Sequence, residues 1–391
     1  MMTSPRIRVL FCIQSFAGGG AEGVTLNLAR ALAPAQFAPT IFAHERFGEF
    51  EPPASTPEVP IVIHNRRDYR RRDLPGLFAK TLQLVRTTDV VVGANEGRPT
   101  FFALAAAKLL GKPCVVWTHY NMHEFLRSRS WRQLASLRSS ALADRLVSCG
   151  RDVLESAIRV TGIRRDRAVA IANGIPIASI QQRAAEPVLP ADAILFEKPT
   201  ILGVGHLTEE KDYPTLLAAH ARLRAEGGSQ ALLLLGTGRM ESALRERATA
   251  LGIGGSTHLL GYRSNPYSYM HRCTVFGHPS RQEGFGLVLA EALACGASVV
   301  ATDCPSGPRE ILDGGRAGIL VPVGDVPALA QALGRVLFDP AERERLRRAA
   351  PGQAAVYDVA NWARQWGKLL VQLHEEKSLR AGKPPASGPR S

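Results

Sequence analysis

The sequence predicts an α/β protein built from two doubly wound, parallel-sheet halves. Three observations carry that prediction. Short apolar runs, among them 6–13, 113–118, 200–205 and 231–236, alternate with helical patterns along the whole chain. That alternation builds βαβ units and parallel sheets. Many of these runs are apolar at nearly every position, as strands covered on both faces require. At 391 residues the chain is long enough for two cores. The Pro- and Ala-rich stretch 181–198 divides it, and we place a first domain at 1–185 and a second at 186–358. A final helix over 359–377 and an irregular Pro/Gly/Ser/Lys-rich tail over 378–391 follow.

Composition bounds the function. Hydrophobic residues make up 45% and charged residues 21%, as in soluble globular proteins. No apolar run is long enough to cross a bilayer, and Met1–Arg8 leads into a strand without a secretory core. The six cysteines, Cys12, Cys114, Cys149, Cys273, Cys295 and Cys304, show no metal-ligand spacing. They read as buried thiols of a reducing compartment, so a cytoplasmic place is expected. The net charge of +13 is uneven: residues 1–185 hold 25 Lys+Arg against 14 Asp+Glu, and the rest hold 23 against 21. A basic first half implies an anionic partner such as an acidic membrane surface or a phosphorylated acceptor.

In chain order, strand 6–13 leads into Gly18-Gly19-Gly20 and a helix over 21–32 with Val24, Leu28 and Leu32 on one face. Strand, glycine loop and helix can cradle phosphate, although the spacing is neither a dinucleotide fingerprint nor a Walker loop. Strands at 36–43 and 61–64 follow. The run 65–73 carries five arginines, either a solvated face or a surface for anionic lipid. Helix 74–86, strand 89–92, helix 101–110 and strand 113–118 come next. His119 then stands just past a strand's carboxyl end, where open α/β sheets bind ligands. Arg127, Arg129, Arg132 and Arg138 lie along a predicted basic amphipathic helix, a second membrane-facing candidate. Strand 145–148, a helix opened by capping residues at 148–152, and strand 168–173 complete the half.

The second half opens with strand 200–205, the loop His206 to Asp212 and a helix over 213–225. Strand 231–236, a helix to 251 and strand 257–261 lead to the corner Tyr262-Arg263-Ser264-Asn265-Pro266. The stretch 274–296 then reads as strand, glycine turn and buried helix. Gly284 and Gly286 permit a tight turn and a close backbone approach to a ligand. The helix start offers unpaired N–H groups and partial positive charge to phosphate. Glu283 and Glu291 are carboxylates in an apolar setting that need partners, and ligand hydroxyls would serve. Strand 298–302, a turn at 305–308, helix 309–312, strand 319–322 and helices 326–338, 340–349 and 359–374 finish the chain. Trp362 and Trp366 share one face of the last.

Pro279–Gly296 forms the frame P-S-x-x-E-G-F-G-L-x-x-x-E-A-x-A-x-G. With its continuation through Val299–Asp303, Gly307–Ile311 and Gly318–Val321, this run resembles the signature of retaining GT-B glycosyltransferases, the group 1 family with two glutamates separated by seven residues. The resemblance implies the GT-B fold: two Rossmann-like domains facing a cleft, with the last helix crossing back to the first. It implies a nucleotide-diphospho-sugar donor, a UDP-sugar first and GDP-mannose next, with no cofactor and no metal. The acceptor it implies is a glycan or polyprenyl-diphosphate-linked chain of cell-surface polysaccharide biosynthesis.

By the same resemblance His119, Lys211 and Glu283 are the catalytic candidates. Gly205–Lys211 matches the family's frame G-x-L-x-x-x-K, in which Lys211 neutralises leaving-group charge. His206 stands where arginine is usual and cannot make a bidentate contact. His119 would contact the sugar near the reacting carbon, Glu283 the sugar hydroxyls and Glu291 the ribose hydroxyls. Gly18, Gly19 and Gly20, with the amides of Gly284, Phe285, Gly286 and Leu287, would face the diphosphate, and Tyr262 and Arg263 would border the base. Two rivals are a GT-B sugar-nucleotide epimerase and a non-catalytic protein that binds nucleic acid or an anionic surface. The first would bring more acid/base groups. No aromatic-interleaved basic stretch supports nucleic acid as a partner.

Overall fold

Burial on both faces turns the apolar runs into strands, and the computed structural model arranges them in two parallel sheets. It describes residues 6–16, 20–33, 36–45, 54–64, 73–122 and 131–380. The basic run 65–72, Gly18, Gly19, Arg127 and Arg129 lie outside the described residues. The first sheet contains β1 (Ile7–Ile13), β2 (Phe37–Ala43), β3 (Ile61–Ile63), β4 (Val90–Gly93), β5 (Cys114–Thr118), β6 (Arg145–Ser148) and β7 (Ala168–Ala170). Their order is β3-β2-β1-β4-β5-β6-β7. The second contains β8 (Thr200–Val204), β9 (Ala231–Leu235), β10 (Thr257–Gly261), β11 (Val275–His278), β12 (Val299–Thr302) and β13 (Ile319–Val321), in the order β10-β9-β8-β11-β12-β13.

Around the first sheet lie α1 (Gly20–Leu32), α2 (Leu74–Arg86), α3 (Arg98–Leu109), α4 (Trp131–Arg138) and α5 (Arg151–Thr161). The later helices are α6 (Ile177–Ala184), α7 (Tyr213–Ala225), α8 (Glu241–Ala250), α9 (Tyr267–Arg272), α10 (Leu287–Ala294), α11 (Pro308–Ile311), α12 (Val326–Phe338), α13 (Pro340–Ala355) and α14 (Val359–Arg380). Among the described residues, no helix is long and apolar enough to cross a membrane. All six cysteines are buried.

Two compact units result, one of Met1–Gly174 with Val359–Ser391 and one of Ile175–Asp358. The division falls eleven residues before the boundary expected from composition, because 175–186 is tied to the second unit. Ile180 and Ala184 of α6 are buried, Arg183 donates to Ser264 O, and Asn265 donates to Glu186 at 2.8 Å. Residues 190–196 form a 3-10 turn rather than irregular chain. The expected cap at 148–152 is also corrected: α5 starts at Arg151 with Gly150 as N-cap and no side-chain bond. Residues 378–380 continue α14 instead of beginning the tail.

The last helix belongs to the first unit by packing. Trp362 and Trp366 lie on Trp117 of β5, with ring centroids 5.9 and 4.7 Å away. All three side chains are fully buried. Large aromatics bury enough area to hold a terminal helix in place.

Both sheets have a switch point, where successive crossovers leave in opposite directions. It falls between β1 and β4 in the first sheet and between β8 and β11 in the second. Loops at the carboxyl ends of those strands diverge and open a crevice, which is where such sheets bind ligands.

Candidate functional site

In the second unit, the loops after β8 and β11 meet at the switch point. Lys211 closes a short 3-10 turn at Glu209–Lys211. Asp212 follows in the left-handed region at φ 47° and is buried. Its carboxylate accepts from Thr215 at 2.8 Å and pairs with Arg281 at 2.9 Å. The Arg281 amide donates to Glu210 O at 2.8 Å, so the second loop is sewn to the first. The glycines here leave no choice of residue. A Cβ on Gly236, at φ 138°, would stand 1.9 Å from Gly205 O, so only glycine lets the β9 loop lie against the β8 loop.

This stitching brings together Lys211 and Glu283, which are 72 positions apart. Lys211 Nζ lies 2.5 Å from Glu283 Oε1. The same oxygen accepts from Ser280 Oγ at 2.7 Å and from His278 Nε2 at 2.8 Å. Burial alone would raise the Glu283 carboxyl, but Lys211 and His278 outweigh it and hold it well below the ordinary carboxylate range. Burial also lowers His278, so it donates as a neutral imidazole and Lys211 is the cation of the cluster. His206 is exposed. The arrangement is a buried anion gripped by His278, Ser280 and a lysine at the crevice.

The turn that follows delivers α10. Gly286 is the N-cap at φ 86°, and Phe285 is buried edge-on against Tyr357 with centroids 5.6 Å apart. Gly307, at φ 112°, has its Cα so near that a Cβ would lie 1.8 Å from Phe285 O. Gly284 and Leu287 are half-buried, so the first turn of α10 keeps an open side. Glu291 is also half-buried and accepts from Tyr267 Oη at 3.3 Å. Burial pushes its carboxyl up, against the pull of Tyr267 and Arg183. Arg183 sits over the Tyr267 ring at 4.9 Å.

At the expected base corner, Tyr262 is 60% exposed. Arg263 is engaged by buried Asp192 at 3.0 Å, which also accepts from Tyr269 at 2.5 Å. Its guanidinium therefore ties the corner to the 3-10 turn at 190–196, a structural use of that side chain.

In the first unit, Gly20 opens α1 at the carboxyl end of β1. His119 stands one residue past β5, half-buried, its ring 4.4 Å from that of Trp117. Its Nε2 lies 2.9 Å from Ala94 O. A carbonyl only accepts, so Nε2 carries the proton. Burial lowers the ring to about 4, so it is neutral at physiological pH.

Sequence reasoning missed Glu96. Its Oε1 accepts from the His119 amide at 2.6 Å and from Thr118 Oγ at 2.8 Å. Burial raises this carboxyl to about 7, although the donors around it favour the charged form. The signal was Asn95-Glu96 at the end of a buried strand, but only the strand order places β4 at the switch point.

Known proteins share this two-sheet fold. Residues 191–353 match the family Glycosyl transferases group 1, and residues 18–179 match Glycosyltransferase Family 4. The N-acetylgalactosamine-N,N'-diacetylbacillosaminyl-diphospho-undecaprenol 4-alpha-N-acetylgalactosaminyltransferase of Campylobacter jejuni is 32% identical over 307 residues, 76% of this chain and 81% of that protein. The alpha-D-kanosaminyltransferase of Streptomyces kanamyceticus is 26% identical over 73% of this chain and 76% of its own length. Among solved structures, Anabaena HepE in complex with UDP and glucose superposes with a TM-score of 0.79 at 20% identity, covering 94% of this chain and all of that one. Its fold is therefore shared. The two sheets, the matched families and a relative 32% identical over most of both chains lead to one conclusion: the chain belongs to the group 1 glycosyltransferases, enzymes of GT-B fold.

Proposed function

We propose that the enzyme moves a sugar from a nucleotide-diphospho-sugar, a UDP-sugar foremost and GDP-mannose next, to a glycan or polyprenyl-diphosphate-linked acceptor of cell-surface polysaccharide biosynthesis. The observation that carries this reading is the Lys211–Glu283 pair beside the open first turn of α10, at the switch point of the second sheet. The relatives support it: HepE was solved with UDP and glucose, and the Campylobacter enzyme's name specifies an undecaprenyl-diphosphate-linked acceptor.

Breaking the bond between the anomeric carbon and the diphosphate puts oxocarbenium character on the sugar and negative charge on the leaving oxygen. Preorganised cations and amides at that oxygen lower the barrier most. Lys211 turns from Glu283 toward the phosphate, and the amides from Phe285 to Leu287 face it at the positive end of α10. Glu283, still held by His278 and Ser280, accepts hydrogen bonds from sugar hydroxyls. Glu291 and Tyr267 serve the ribose hydroxyls. On the first unit, His119 serves the transferred sugar. The acceptor hydroxyl attacks the face the phosphate leaves, its proton passes to the leaving phosphate oxygen, and configuration is retained. In this reading Lys211 does the work of a divalent ion.

The test is turnover with UDP-, GDP- and ADP-sugars, read as free nucleotide, with product configuration read by NMR. Wild type should release UDP in the presence of EDTA and form the product with retention. Lys211→Ala, Glu283→Ala and Glu291→Ala should each lose about a hundredfold or more in kcat/KM. Wild-type turnover in all three would remove the site assignment. Stabilisation of the enzyme by DNA but not by UDP or GDP would favour the nucleic-acid rival instead.

A further inference from the structure

We infer that Glu96 is the positioning residue for His119: its carboxylate fastens the turn Thr118–Tyr120 to the end of β4 and so sets the imidazole in one tautomer, with Nδ1 as its acceptor. The inference rests on the transferase reading above.

The end of β4 grips His119 twice. Glu96 Oε1 takes the His119 amide at 2.6 Å and the Thr118 hydroxyl at 2.8 Å, and Ala94 O takes the ring proton at 2.9 Å. Because Ala94 and Glu96 flank Asn95, whose own Oδ1 accepts from the Gln14 amide at 3.3 Å, one short segment orders the ends of β1, β4 and β5 together. The ring of His119 is further backed by Trp117 at 4.4 Å, and Cys149 Sγ donates to its carbonyl at 3.6 Å. An imidazole held this way has its Nε2 proton committed, so Nδ1 offers a lone pair. That is an acceptor for a ligand hydroxyl, the commonest group on a sugar, and not a cation for a phosphate.

A glutamine at 96 would accept the same two hydrogen bonds without any ionisation. The structure instead uses a carboxyl that burial disfavours as an anion and that titrates at about 7. The charged form accepts more strongly, and the amides of Tyr120 and of Glu96 itself also favour it. The titratable or charged groups on the neighbouring elements include His119, Tyr120, Cys12, Cys114, Cys149, Arg98, Lys108 and Arg145; Arg98 pairs with Glu45 at 2.9 Å, Lys108 with Asp144 at 3.5 Å and Arg145 with Glu376 at 2.7 Å. The ionisation of Glu96 thus strengthens its hold on the turn.

The experiment compares wild type, Glu96→Ala and Glu96→Gln, each checked for folding by circular dichroism. First, nitrogen-15 NMR of labelled histidine, assigned with His119→Asn, follows the His119 ring without any substrate. It should titrate near 4 in wild type and stay low in Glu96→Gln. In Glu96→Ala it should move toward about 6.5, the ordinary histidine value, and lose its single tautomer. Second, kcat is measured from pH 6 to 9 with the best donor. Glu96→Ala should lose about tenfold or more at pH 8 with donor KM little changed. Glu96→Gln should recover most of that rate and lack the wild-type fall in rate below pH 7. An unchanged His119 titration and tautomer in Glu96→Ala would overturn the inference whatever the enzyme transfers. Absence of any nucleotide-sugar turnover by wild type would overturn the transferase reading alone, since the NMR result decides the role of Glu96 independently.

Discussion

Three donors converge on one oxygen of Glu283, and this decides how single residues respond to change. Lys211, with a side chain 21% exposed, supplies the charge, and His278 and Ser280 are buried. Removing Lys211 strands a buried anion, whereas removing both partners leaves a smaller deficit. A double-mutant cycle on Lys211→Met and Glu283→Gln, measured by urea unfolding at pH 7, should give a coupling of about 2 kcal/mol. A coupling near zero would show that the pair does not form in solution. The carboxyl is depressed in the folded state, so this stabilisation is present above its ordinary value of 4.5 and is lost only as pH falls well below it. Glu96 behaves oppositely. Its folded pKa is raised, so the folded state binds its proton more tightly, and its contribution is favourable at low pH and fades as pH rises from 4.5 to about 7. Each glutamate of the matching frame could be singled out from its setting in the chain. That Lys211 and Glu283 share a proton-tight contact could not, because it depends on which strands become neighbours.

At the scale of elements, loops at two strand ends have been shaped to touch. The approach of Gly307 to Phe285 O leaves no room for a side chain, and the cost of any other residue falls on the turn that opens α10. Gly307→Ala should lower stability by about 2 kcal/mol or more and weaken UDP binding, measured by thermal unfolding with and without UDP. A variant with wild-type stability would show that the turn yields freely. Most strands were legible in the sequence, because runs such as Cys114–Thr118 and Ala231–Leu235 are apolar throughout and bounded by turn residues. α6 and α9 were not. Ile177–Ala184 contributes only Ile180 and Ala184 to the core, and Tyr267–Arg272 follows Pro266 after a turn signal, so neither shows a long apolar stripe. The domain boundary was misplaced for the same reason, since α6 looks like linker until its partners at Ser264 and Asn265 are seen. The path of α14 was readable only through resemblance; its physical cause is the pair Trp362 and Trp366 on Trp117.

At the scale of the whole molecule, charge separates the halves. Residues 1–185 carry a net +11 of the total +13. We read this as a surface for anionic lipid, in keeping with a lipid-diphosphate acceptor, and it belongs with the transferase proposal. The protein should sediment with vesicles containing anionic lipid at low salt and be released as salt rises. Equal binding to neutral vesicles would contradict that reading. The central claim, however, is that the donor diphosphate is met by Lys211 and the turn into α10. Hydrogen-exchange mass spectrometry of the full chain with and without UDP tests it most directly. Our account predicts slowed exchange in the peptides covering 203–213 and 278–291. Slowed exchange confined to other peptides, with these two unchanged by bound nucleotide, would contradict it.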